Sequence, residues 1–106
     1  MAWVILVGAG LLEVVWAFSM KQSEGFTRVV PSVVTLVAMT TSVALLSWSM
    51  RSLPLGTAYA VWTGIGALGA FAAGIAVLGE AASPLRIVAG ALILGGLVLM
   101  GLAHPE

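Results

Sequence analysis

Four apolar runs, at about 2–20, 29–50, 57–79 and 85–103, take up most of this 106-residue chain. Crossing the hydrocarbon core of a bilayer as a helix takes about 20 mostly apolar residues. The spacing therefore predicts an all-α integral membrane protein with four short transmembrane helices. Charge agrees: only 8% of the residues are charged and 61% are hydrophobic, whereas a soluble domain carries roughly a quarter charged residues. The runs and their links use up the sequence, so one four-helix transmembrane domain over 1–106 is expected.

The breaks have local chemical reasons. Residues 21–28 form a polar turn around Gly25, and Pro31 then falls in the first turn of the next helix, where its missing N–H does no harm. Residues 51–56 combine Arg51 with Pro54 and Gly56. Residues 80–84 place Ser83 as a cap ahead of Pro84. A signal peptide is not expected at the start, because no basic residue precedes Lys21 and the apolar run continues past a glutamate. Trp3 and Trp48 fall near helix ends on one side of the membrane, where indoles anchor at the interface. Lys21, Arg28 and Arg86 share the opposite side and Arg51 lies with the termini, a weak bias for fixing orientation.

Several function classes drop out. Net charge is zero and no basic tract exists to neutralise phosphates, so nucleic acid is not an expected partner. There is no cysteine, and the single histidine is His104, so no metal site and no cofactor are expected. Nothing resembles a nucleophile–base pair or a phosphate loop; the chain does not read as an enzyme. Glu24 and Glu80 sit in turns and Glu106 at the terminus, where solvation is the default.

One acid is different. Glu13 interrupts the first apolar run, with apolar or small residues for ten positions before it and seven after. A charged residue at the centre of a span costs about 2.5–3.5 kcal/mol on insertion scales, and no Lys or Arg lies well inside any span to pair with it. Glu13 is therefore the candidate site for binding a cation or a proton. Positions three and four away share its helical face: Gly10 leaves room for a ligand or a close helix, and Trp16 sets an indole beside the carboxylate, where its face attracts a cation.

The third run supplies a second cluster, AYAVWTGIG at 58–66. Tyr59, Trp62 and Thr63 share a face, and the Tyr59 phenol, needing a partner if buried, could be satisfied by a carboxylate from helix one. Gly64 and Gly66 are either a hinge or a site of tight packing. In helix two, Met39 (a candidate portal) and Ser42 share a face; Ser42 either donates to Glu13 or bonds back to its own helix. Helix four carries Gly90, Gly95 and Gly96 and is either a dimerisation helix or part of the core within one chain.

Glu13 in the first of four helices, SEGFTR at 23–28 and AYAVWTGIG at 58–66 together resemble the small multidrug resistance family. Trp16 and the block LPLGTAYAVWTG at 53–64 are similar to its guanidinium-exporter subtype. The resemblance implies a proton-coupled antiporter of the bacterial inner membrane, working as an antiparallel, dual-topology homodimer by alternating access. Glu13 from both copies would bind guanidinium, small substituted guanidinium ions or protons, and Trp16, Ser42, Tyr59 and Trp62 would line the site. The absence of an internal repeat fits a dimer, since alternating-access transporters are commonly built from two related halves. The alternatives are a quaternary-ammonium multidrug exporter of the same family and, more distantly, a non-transporting membrane assembly subunit.

Overall fold

The apolar runs form four helices in the computed structural model, which describes residues 2–103: α1 (Ala2–Gln22), α2 (Val29–Ser49), α3 (Leu55–Ala76) and α4 (Pro84–Leu102). His104 and Glu106 lie outside the described residues. All four helices are long and apolar enough to cross a membrane; at 1.5 Å per residue they reach about 30 Å.

The stops follow the breaks in the sequence. Pro54 is extended and caps α3, so the helix starts at Leu55, two residues before the expected position, with the Ala58 N–H donating to the Pro54 carbonyl at 3.0 Å. At the other end Gly79 takes φ +72°, which returns the Glu80 N–H to the Gly74 carbonyl at 3.0 Å. A left-handed glycine closes the helix, and α3 ends at Ala76, short of the expected 79. Ser83 caps α4 by accepting from the Arg86 N–H, with Pro84 in the first turn.

The turn between α1 and α2 is tied down by buried Ser23. Its hydroxyl donates to the Met20 carbonyl at 2.6 Å and accepts from the Phe26 N–H at 3.1 Å. Glu24, Gly25 and Phe26 are all left-handed, at φ 50°, 74° and 66°. That conformation suits Gly25 but is unusual for phenylalanine.

Packing inverts the pattern of a soluble protein. Ser23, Thr35, Ser42, Ser49 and Thr57 are buried, while Val, Leu and Ile residues of all four helices are exposed. In lipid, close approach and interhelical hydrogen bonds hold helices together, and apolar side chains have no reason to hide. α1 packs against both α2 and α3, which meet each other less extensively; among the described residues α4 touches only α3. The molecule measures 43 × 34 × 16 Å. Since one helix with its side chains is about 10–12 Å across, the smallest dimension leaves a thin slab and not a closed bundle.

The indoles divide the expected anchoring role. Trp48 is exposed, with the Arg51 guanidinium 5.2 Å from the ring centroid. Trp3 is half-buried and packs against the core formed by Leu6, Ala9, Leu46 and Trp62 with their neighbours.

Candidate functional site

Glu13 stands near the middle of α1, and small residues on α3 allow it to lie where it does. A Cβ placed on Gly66 would overlap the Glu13 carboxylate, and one on Gly69 would overlap Val14. One turn earlier, a Cβ on Gly10 would come within 2.7 Å of Ile65. Gly10 therefore works chiefly by admitting α3. The Glu13 Oε1 atom is buried and has no hydrogen-bond partner among the described residues. One helical turn on, the Trp16 Nε1 atom is likewise buried and unpartnered.

Ser42 follows neither of the two expected courses. It is fully buried and donates to the Ala9 carbonyl of α1 at 2.6 Å, while Trp62 Nε1 donates to the Ser42 oxygen at 3.0 Å. This relay joins α3, α2 and α1 one helical turn from Glu13. The neighbouring Thr41 bonds back to the Val37 carbonyl of its own helix at 2.9 Å, and of the three consecutive hydroxyl residues Thr40, Thr41 and Ser42 only Ser42 is buried. Met39 is half-buried on the same helix.

Tyr59 lies against Trp62, with ring centroids 5.6 Å apart and planes tilted by 47°. The expected phenol–carboxylate bond is not made: Tyr59 is 53% exposed and donates no hydrogen bond to Glu13. Trp62 takes the inward position on that face, and Thr63 is exposed as well.

α3 runs unbroken through Gly64 and Gly66. The two serve different neighbours, because a Cβ on Gly64 would overlap Leu97 of α4 whereas Gly66 meets Glu13 of α1. On α4, Gly90 faces Phe71 of α3, and a Cβ there would come within 3.3 Å. Gly95 and Gly96 have nothing within 4 Å of a built Cβ, so these two, and not Gly90, lie on the open face of α4.

Sequence reasoning missed the Ala9 carbonyl, Ile65, Gly69 and Leu97. The first is a backbone acceptor with no signature in its side chain. A clue to Gly69 was available in its three-residue spacing from Gly66, which puts both on one face.

Clefts flank the helices: one of about 670 Å³ opens at the 20–28 turn, one of about 280 Å³ lies beside Trp48 and Arg51, and one of about 320 Å³ is lined by Val14 and Val15, next to Glu13. The Glu13 carboxylate is held at mid-span on a half-buried residue, with Oε1 against Gly66 of α3 and unpartnered among the described residues.

Four helices long and apolar enough to cross a membrane, one of them carrying a mid-span carboxylate whose Oε1 has no partner among the described residues, define a small integral membrane protein. Residues 1–93 match the family described as Small Multidrug Resistance protein, and the chain belongs to that family. Its relatives include the guanidinium exporter of Citrobacter freundii, 58% identical over 92% of this chain and 93% of that protein. The guanidinium exporter of Escherichia coli (strain K12) is 60% identical over the same shares. Family and spans together make this an integral protein of the bacterial inner membrane.

Proposed function

We propose that the protein exports guanidinium and small substituted guanidinium ions in exchange for protons, using Glu13 from two antiparallel copies of the chain. The observation that carries this reading is the buried, unpartnered Glu13 Oε1 at the middle of α1. A buried polar atom without a partner is costly, and in a transporter the missing partner is the cargo. The names of the relatives favour guanidinium over other cations. So does chemistry: guanidinium is planar, stays charged at neutral pH and donates N–H bonds in a fork that fits a carboxylate.

The mechanism rests on exclusion. A proton and a guanidinium ion cannot both take the same carboxylate oxygens, so loading one displaces the other. If the assembly changes its open side only when loaded, the proton gradient drives export. Trp16 lies one turn from Glu13 on the same face and narrows the space for the cation, favouring small planar ions over bulky aromatic ones. The relay from Trp62 through Ser42 to the Ala9 carbonyl holds three helices in register around the carboxylate.

A homodimer supplies what one slab lacks. With a smallest dimension of 16 Å a single chain offers no second wall opposite Glu13, and an inverted copy would provide both a wall and a second carboxylate. The open face of α4 at Gly95 and Gly96 is the surface we assign to that pairing; residues 1–106 act in it as one transmembrane domain.

The test is transport by purified protein reconstituted into vesicles. Guanidinium should move against an imposed proton gradient and Glu13→Gln should abolish that movement; unchanged flux in the variant would overturn the assignment. A panel including a bulky quaternary ammonium ion separates the two substrate classes, and flux of the bulky ion without guanidinium flux would transfer the reading to multidrug export.

A further inference from the structure

The geometry points to a binding site for the phosphodiester headgroup of a membrane phospholipid in the cleft between the 20–28 turn and the end of α3. The cleft, about 670 Å³, has Lys21 and Arg28 on its rim, Gly25 at the turn, and Met20 and Leu78 as its apolar part. It shares no residue with the Glu13 site, and the inference does not depend on what the protein transports.

Three observations carry it. Lys21 and Arg28 form no ion pair among the described residues; the pair that does form at this end joins Arg86 to Glu80. Two exposed cations therefore face one cleft uncommitted. The Gly25 N–H also makes no hydrogen bond among the described residues, which adds a neutral donor to the same rim. Finally, the turn is built in advance: Ser23 and Thr27 bond it together, and Glu24, Gly25 and Phe26 are held left-handed. The donors need little ordering when a ligand arrives.

The position selects an amphiphile. Lys21 is in the last turn of α1 and Arg28 precedes α2, at the level where a spanning helix meets headgroups. Val29 and Val30, 76% and 73% exposed, continue from Arg28 toward the membrane interior and offer a track for an acyl chain. Basic pockets between transmembrane helices are a recurrent way of holding anionic headgroups. Glu24 lines the same cleft. Its negative charge opposes a doubly charged phosphate monoester more than a singly charged diester, so the cleft is matched to the diester.

Native mass spectrometry of the full chain in detergent, titrated with phosphatidylglycerol, tests this. The wild type should retain bound lipid, and the double variant Lys21→Ala/Arg28→Ala should need roughly tenfold more or beyond, given the strength of a basic residue near a charged headgroup. Arg51→Ala, at the other end of the molecule, should bind as wild type. Lys21→Arg/Arg28→Lys should also keep the lipid, which separates lost charge from lost folding. Equal retention by the alanine double variant, or no retention by the wild type, overturns the site. Competition by glycerophosphate or inorganic phosphate at concentrations equal to the lipid's would make it a site for a free phosphoryl compound and overturn the lipid assignment.

Discussion

Gly66 of α3 faces the carboxylate of Glu13 so closely that a methyl group on it would overlap Oε1 and Cδ. The position of the one acid inside the spans is therefore set by the absence of a side chain on another helix. Gly66→Ala should force the carboxylate aside at little cost in stability, because the atoms that must move are the end of a flexible side chain. Guanidinium-triggered proton release by the purified protein should fall about tenfold or more, while the helix content stays at the wild-type level.

Ser42→Ala removes an acceptor and a donor at once, leaving Trp62 Nε1 buried without its acceptor and the Ala9 carbonyl with only the bond of its own helix. The orphaned indole N–H costs about 1–3 kcal/mol. The midpoint of thermal unfolding in detergent should drop clearly for this variant. Thr41→Ala, which loses only a bond to its own helix, should hardly move it.

Competition between protons and guanidinium for the Glu13 carboxylate fixes the sign of the pH dependence. Lowering the pH fills the site with protons, so the apparent affinity for guanidinium should weaken as pH falls and level off once the carboxylate is fully ionised. Calorimetric titrations across a pH series measure this. Glu13→Gln should show no such slope.

Trp16→Ala should change selectivity and stability together. The half-buried indole packs against the core and its Nε1 is buried, so truncation should destabilise the protein by less than the ~3–5 kcal/mol typical of a fully buried aromatic. In variants that remain folded, flux of a bulky aromatic cation relative to guanidinium should rise.

The α3–α4 connection offers a contrast between two partners of one ion pair. Glu80 and Arg86 are 3.8 Å apart and each is 40% exposed, and exposed pairs contribute about 0–1 kcal/mol. Arg86 also lies 4.9 Å from the Phe71 ring centroid and donates to the Ala81 carbonyl. Arg86→Ala should therefore destabilise the protein more than Glu80→Gln, as read by unfolding in detergent.

The helices were legible because length and apolarity alone define a span, and because Pro31, Pro54 and Pro84 mark where each of the last three begins. The displacement of α3 at both ends came from two local features: Pro54 acting as the cap itself, and the left-handed turn at Gly79. Helical spacing puts Glu13, Gly10 and Trp16, all within α1, on one face of that helix. Which residue Gly10 meets could not be read, since that depends on how α3 lies against α1. The different neighbours of Gly64 and Gly66 did follow from the sequence in principle, because residues two apart on a helix do not face the same way. The bond from Ser42 to the Ala9 carbonyl did not, since every residue offers that acceptor.

The slab shape, 16 Å in its smallest dimension, limits how the surroundings of Glu13 can be varied. In the proposed homodimer, where two such slabs face each other, a single codon determines both sides of the space between them. No substitution can then be confined to one side, and any difference between the sides has to come from conformation alone.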